Sequence, residues 1–125
     1  MKLKSFEHVL IIARDMEATK AFYTEIIGLV VGARPDFPFP GYWLYLGDTP
    51  CVHLGGRERG GISANGEGSG VIDHLAFNAE DCDGARARLD ELGIAYSHRP
   101  VPGQPLQQVF VSDPNGVKIE INFPT

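Results

Sequence analysis

The chain has 125 residues and a formal net charge of -5, from 11 Lys and Arg residues against 16 Asp and Glu residues. This length fits one small domain, and the acidic balance excludes the basic surface that nucleic acid or an anionic membrane requires. Its apolar runs are shorter than the roughly 18 residues of a membrane-spanning helix. The first residues, MKLKSFEH, do not resemble a secretory leader, so the sequence predicts a cytoplasmic chain. Cys51 and Cys82 are too few for a disulfide framework and are expected to be reduced.

The first part of the chain predicts a strand, a helix and then three strands. Asp15 is a good N-cap for an amphipathic helix over residues 16–27, where apolar side chains recur at helical spacing, and Gly28 ends this helix. The predicted strands are residues 6–13, 29–34, 42–46 and 51–54, of which the last two form a hairpin.

The same order of elements returns after residues 55–70, a glycine-rich segment that predicts a flexible linker. Asp81 or Asp83 caps the second helix, and Gly93 ends it. The predicted strands are residues 71–79, 94–98, 106–112 and 117–123, of which the last two form a hairpin. We therefore predict an α+β fold in which two βαβββ modules, residues 1–54 and 71–125, form one domain with an internal repeat.

Matched positions in the two modules carry polar side chains that can bind a metal. His8 and His74 occupy the same position in the first strand of each module, and His53 and Glu120 occupy the same position in the last. Because side chains alternate across a strand, these four lie on the face opposite the apolar one. A buried polar group without a partner costs roughly 2 to 7 kcal/mol. Three imidazoles and a carboxylate therefore predict a site for one divalent transition metal, such as Zn, Ni, Fe, Mn or Co, although His53 can instead hydrogen-bond a substrate or shuttle a proton.

Three segments resemble one family: HVLIIARDMEATKAFYTEIIGL at residues 8–29, DHLAF at residues 73–77 and VSDPNGVKIEI at residues 111–121. They are similar to the vicinal oxygen chelate superfamily, which includes glyoxalase I, extradiol dioxygenases, fosfomycin resistance proteins, methylmalonyl-CoA epimerase and metal-free bleomycin resistance proteins. The resemblance implies a glyoxalase-like fold, in which two βαβββ modules form a curved mixed sheet around a metal. It also implies metal ligands in the first and fourth strands of each module, which here are His8, His53, His74 and Glu120.

The residues around the four ligand positions can be compared with those typical of each branch of the superfamily. The chain resembles glutathione-dependent glyoxalases in its four ligand positions, but it has His53, Ile12 and Arg57 where those enzymes commonly have Glu or Gln, Arg and Asn. It resembles extradiol dioxygenases over residues 113–120, with Phe110 in place of their tyrosine. Bleomycin-binding members generally lack the ligand set that this chain retains.

The filled fourth ligand position favours a glyoxalase-I-like lyase or isomerase that acts on a small vicinal-oxygen substrate, with Glu120 as the catalytic base. The alternatives are an Fe(II) extradiol-type dioxygenase that uses His8, His74 and Glu120, and a non-catalytic small-molecule binding or resistance protein. Arg57 and Arg59 are candidates to bind an anionic substrate, and exposed sheet edges predict a homodimer. The predicted substrate pocket is lined by Trp43, Tyr45, Asn78, Phe110, Lys118 and Asn122.

Overall fold

The structure, a computed structural model, describes residues 1–56, 69–70 and 72–125. The chain divides into two compact units, Met1–Gly66 and Glu67–Thr125, and each unit contains one four-stranded mixed sheet. In each unit the elements follow the order strand, helix, three strands. The predicted α+β fold built from two βαβββ repeats is therefore confirmed.

The first unit places its helix against a sheet with the strand order β1-β4-β3-β2. Its elements are β1 (Val9–Ala13), α1 (Met16–Ala21), β2 (Val30–Gly32), β3 (Gly41–Leu46) and β4 (Thr49–Gly56). β1 pairs in parallel with β4, whereas the other neighbours are antiparallel. The core of this unit is formed by Ile11, Ala13, Phe22, Tyr23, Leu44, Val52 and Leu54, all of them buried.

The first helix differs from the single α-helix predicted over residues 16–27, because α1 continues as a π-helix over Phe22–Ile27. Asp15 caps α1 as predicted, since its carboxylate accepts a hydrogen bond from the Ala18 N–H at 3.0 Å. Gly28 ends the π-helix with a φ of 97°, a left-handed conformation that glycine adopts without strain. The apolar periodicity indicates which face of a helix is buried. It does not distinguish the hydrogen-bond pattern of an α-helix from the wider one of a π-helix.

The second unit repeats the same sheet, with the strand order β5-β8-β7-β6. Its elements are β5 (His74–Asn78), α2 (Cys82–Glu91), β6 (Ser97–Pro100), β7 (Leu106–Ser112) and β8 (Lys118–Pro124). Here β5 pairs in parallel with β8. Asp81, rather than Asp83, caps α2, because its carboxylate accepts a hydrogen bond from the Gly84 N–H at 3.0 Å.

Several strand boundaries differ from the prediction. β1 begins at Val9 and β5 at His74, the first residues that have partners on the parallel neighbours β4 and β8. β6 begins at Ser97 rather than at residue 94, because the Ile94 N–H still bonds to the Leu89 carbonyl, at 2.9 Å, in the turn that ends α2.

β4 extends to Gly56, which lies inside the segment predicted as a linker. Most of that segment, together with Arg57 and Arg59, lies outside the described residues. In the part of the chain that the structure describes, no helix has the length and apolar character needed to cross a bilayer.

Candidate functional site

His74 and Glu120 meet on the face of the second sheet that carries the predicted ligands. β5 and β8 are parallel neighbours with His74 opposite Lys118 and Ala76 opposite Glu120. Because side chains alternate along each strand, these four residues share one face. The Nε2 atom of His74 lies 3.0 Å from the Oε2 atom of Glu120, whose side chain is only 12% exposed. Two of the predicted ligands therefore converge on one point.

The other carboxylate oxygen of Glu120 is held by two amide groups. Its Oε1 atom accepts hydrogen bonds from Nε2 of Gln108 at 2.9 Å and from Nδ2 of Asn122 at 2.8 Å. Gln108 belongs to β7 and Asn122 to β8, and Gln108 also donates to Oδ1 of Asn122 at 3.1 Å. With Oε1 engaged in this way, Oε2 is the oxygen that faces His74.

A carboxylate residue precedes both His8, which lies just before β1, and His74, the first residue of β5, and binds the ring of each. The Nδ1 atom of His8 lies 2.9 Å from Oε1 of Glu7, and the Nδ1 atom of His74 lies 2.8 Å from Oδ1 of Asp73. A carboxylate beside Nδ1 can accept a hydrogen bond from this nitrogen, which fixes the orientation of the ring. Metal-binding histidines commonly have such a partner, which orients the ring.

Sequence reasoning assigned no role to Glu7 and Asp73, although the alignment of the two modules matches them. The signal that could have found them is the acidic residue that precedes each candidate ligand in both copies. Gln108 carried no such signal, because a glutamine in a strand has no pattern that predicts its partner.

In the first unit, His53 lies between two other rings. Its ring centroid is 3.8 Å from that of His8 and 4.1 Å from that of Trp43, with interplanar angles of 13° and 10°. Burial, followed by the charge of His8, lowers the pKa of His53 below its usual range. Its Nε2 atom is buried and has no hydrogen-bond partner among the described residues. A neutral imidazole with an unpaired nitrogen has the chemistry of a metal ligand.

The structure thus brings the four predicted ligands together as two pairs, His8 with His53 and His74 with Glu120, each within its own unit. Among the described residues, no three His, Cys, Asp or Glu side chains form one group that could hold a metal. The complete set of four ligands stays a prediction. The Nε2 atom of His53 and the convergence of His74 and Glu120 both fit it.

The predicted pocket residues of the first unit have different surroundings. Trp43 stacks on His53. Tyr45 instead donates its hydroxyl hydrogen to the carbonyl oxygen of Ala33 at 2.6 Å. An irregularity in the pairing of β3 with β4 lies between Leu44 and Leu46, and it takes Tyr45 out of the register that pairs Trp43 with His53.

The predicted pocket residues of the second unit lie along β5, β7 and β8. Asn122 binds Glu120, and the exposed Asn78 lies opposite Asn122. Phe110 lies directly opposite Glu120 in the antiparallel pair. The ammonium group of Lys118 donates to Oδ1 of Asp73 at 3.0 Å, so that this carboxylate serves both Lys118 and the neighbouring histidine.

The chain matches the family model described as Glyoxalase/Bleomycin resistance protein/Dioxygenase superfamily over residues 5–121. Glyoxylase I 4 of Arabidopsis thaliana is 29% identical, over 97% of this chain and 71% of that protein. A lactoylglutathione lyase of Pseudomonas putida is 24% identical, over 96% of this chain and 85% of that protein. The crystal structure of an antibiotic binding protein from a Streptomyces strain superposes with a TM-score of 0.75 and 22% identity, over 100% of this chain and 99% of that one. Since the model spans both repeats and all three motif segments, the chain belongs to the Glyoxalase/Bleomycin resistance protein/Dioxygenase superfamily, the vicinal oxygen chelate proteins, as its motifs predicted.

Proposed function

We propose that the protein is a divalent-metal-dependent enzyme that moves a proton on a small substrate with two adjacent oxygen atoms, in a lyase or isomerase reaction of the glyoxalase I type. The observation that carries this proposal is the setting of Glu120. Its Oε1 atom is held by Gln108 and Asn122, and its Oε2 atom lies 3.0 Å from His74. The names glyoxylase I and lactoylglutathione lyase, borne by two similar proteins, support the same chemistry.

The residues that would hold the metal are His8, His53, His74 and Glu120. The buried Nε2 atom of His53, which has no partner among the described residues, fits this role. So do the carboxylates of Glu7 and Asp73, which lie within hydrogen-bond distance of Nδ1 of His8 and of His74. When bound, a divalent ion supplies Lewis-acid chemistry, because it polarises a substrate carbonyl and stabilises the negative charge that develops on its oxygen.

Glu120 is the proposed base. Its Oε2 atom would take the proton from the carbon next to the substrate carbonyl and return it to the adjacent carbon. Gln108 and Asn122 would keep their hydrogen bonds to Oε1 during this transfer, so the carboxylate need not reorient. A positioned acid or base typically accelerates a reaction about 10² to 10⁴-fold.

The test uses the full chain, produced in metal-replete medium and purified without chelators. We expect about one transition-metal ion per chain, and turnover of the thiol adduct of a 2-oxoaldehyde with entry of solvent deuterium into the product. Glu120→Gln should keep much of the metal and lose turnover. The matched control is Glu91→Gln, because Glu91 is an exposed carboxylate of α2 that pairs with Arg88. It should behave like the wild type.

Two results would overturn the proposal. Oxygen uptake with a catechol and Fe(II), without deuterium exchange on any thiol adduct of an oxoaldehyde, would indicate the dioxygenase chemistry. Wild-type protein that binds no transition metal would indicate a binding or resistance protein instead.

A further inference from the structure

We propose that a cavity lined by Phe110, the residue opposite Glu120 in the second sheet, binds the carboxylate group of an organic substrate, with the guanidinium group of Arg99 as its main contact. This inference rests on the proposed function, because it names the class of substrate that the same site would take. The ligand class is a small organic anion with an apolar body.

The cavity lies in the second unit, along the pair β6 and β7 and the turn that follows α2, and has a volume of about 720 Å³. This volume falls within the range of sites that hold small organic molecules. Its wall combines apolar side chains with two cations and several hydroxyl groups. Its lining residues include Ile94, Ser97, Arg99, Phe110, Val111 and Lys118.

Arg99 is held in place but has no acidic partner. Its guanidinium carbon lies 4.8 Å from the centroid of the Phe110 ring, and its Nε donates to Oε1 of Gln108 at 3.3 Å. Among the described residues, no Asp or Glu forms an ion pair with it. The planar fork of an arginine matches a carboxylate with two parallel hydrogen bonds. A guanidinium that is positioned by stacking and still lacks an anion is therefore suited to bind one.

Lys118 adds a second positive charge to the cavity wall, but its ammonium group already binds Asp73 at 3.0 Å. We therefore expect Lys118 to contribute less than Arg99. Ile94, Phe110 and Val111 supply apolar surface for the body of the ligand. This mixture favours an organic carboxylate over a small inorganic anion.

Two residues, Gln108 and Phe110, link the cavity to the proposed base Glu120. Gln108 accepts from Arg99 and donates to Oε1 of Glu120 at 2.9 Å. Phe110, which lines the cavity, lies opposite Glu120 in the sheet. A carboxylate on Arg99 would therefore anchor a substrate whose other end can reach the base.

The experiment is a titration of the isotopically labelled full chain, followed by the NMR signals of its backbone amides. The protein is first freed of metal by dialysis against EDTA, so that the probe cannot bind through a metal. The probes are benzoate, its neutral analogue benzamide, and inorganic phosphate. We expect benzoate to shift the amides of Ser97 and Phe110 saturably, and benzamide to bind at least about tenfold more weakly, because it lacks the charge that the guanidinium pairs with.

Arg99→Met keeps an apolar stem and should weaken benzoate binding at least about tenfold, whereas Lys118→Met should weaken it less. Arg88→Met is the matched control, because Arg88 lies on α2 and pairs with Glu91 outside the cavity. It should leave the affinity unchanged. Metal content of the same variants is measured separately, so a chain that binds benzoate but no metal would refute the proposed function and support the anion site.

The proposal is overturned if millimolar benzoate gives no saturable shift, if benzamide binds as tightly, or if Arg99→Met binds benzoate like the wild type. Phosphate that competes at equal concentration for the same amides would also overturn it, because the site would then accept any anion.

Discussion

The imidazole of His53 lies face to face with the indole of Trp43, with ring centroids 4.1 Å apart and planes inclined by 10°. The antiparallel register of β3 and β4 places the two residues directly opposite each other. On its other face, His53 stacks on His8. Burial of the His53 ring and the charge of His8 both disfavour the protonated form, and they lower the pKa of His53.

This stacking predicts that Trp43 fluorescence reports the protonation of His53. Trp43 is the only tryptophan of the chain, and a protonated imidazole quenches a stacked indole more strongly than a neutral one. In metal-free protein, we expect the emission to rise with pH through a midpoint below the ordinary histidine value of 6.5. His53→Gln should remove the transition, and His8→Gln should move it upward. A wild-type midpoint at or above the ordinary value would contradict the lowered pKa.

The same group predicts how stability depends on pH. Because the pKa of His53 is lower in the folded state than in the unfolded state, the unfolded chain takes up more protons as the pH falls. The contribution of His53 to the free energy of unfolding is therefore complete above about pH 6.5 and decreases as the pH falls from there toward the folded-state pKa. Urea denaturation of metal-free protein measures the free energy of unfolding at neutral and at mildly acidic pH. Between these two pH values, His53→Gln should lose less of this free energy than the wild type. Equal losses would exclude His53 as the cause.

Asp73 predicts a change in metal affinity. Its carboxylate accepts from Nδ1 of His74 at 2.8 Å, and losing such a partner typically weakens metal binding about 10- to 100-fold. We expect that loss for Asp73→Ala in competition with a chromophoric chelator. The control is Asp83→Ala, since Asp83 is an exposed carboxylate of α2. Glu7→Ala should reproduce the effect if His8 is a ligand, and an unchanged affinity of Asp73→Ala would contradict the role of Asp73.

Sequence patterns predicted the order of elements and the repeat because caps, glycine ends and alternating strands are local signals. Asp15 and Gly28 bound the first helical segment as expected. The π-helix over Phe22–Ile27 was not predictable, because it leaves the apolar pattern unchanged and alters only which carbonyl each N–H meets.

The candidate site could be predicted in part for a similar reason. Symmetry between the two modules pointed to His74 and Glu120, which the structure brings within 3.0 Å of each other. Gln108 and Arg99 were not predicted, because their importance depends on the pairing of β6, β7 and β8. Such side chain to side chain hydrogen bonds across neighbouring strands leave no periodic signal in one sequence.

The first sheet predicts self-association. β2 forms one edge of that sheet. Its residues Val30 and Val31 are 65% and 43% exposed, and the nearby Leu46 of β3 is 56% exposed. Exposed apolar edge strands pair readily with a second chain. We expect light scattering to show a homodimer at micromolar concentration, which Val30→Lys should weaken. A wild-type monomer would contradict this prediction.

Gln108 and Gln107 allow the sharpest test of the proposed base, because they are neighbours on opposite faces of β7. Gln108 donates to Oε1 of Glu120 at 2.9 Å, whereas Gln107 bonds to His98. Gln108→Met should leave Asn122 as the remaining donor to Oε1, so that the carboxylate is held less firmly. We expect kcat to fall about 10- to 100-fold, the loss typical when an outer hydrogen-bond partner of a metal site is removed. We expect its metal content and its KM for a neutral thiol adduct to stay near the wild-type values.

Gln107→Met removes a side-chain hydrogen bond to His98 on the other face of the same strand but should not change kcat. Thermal unfolding of both variants checks that any loss of stability is similar. If both substitutions lower kcat equally, the effect is one of general stability. If neither does, then Oε2 of Glu120 does not depend on Gln108 for its position, and the proposed role of this amide is wrong.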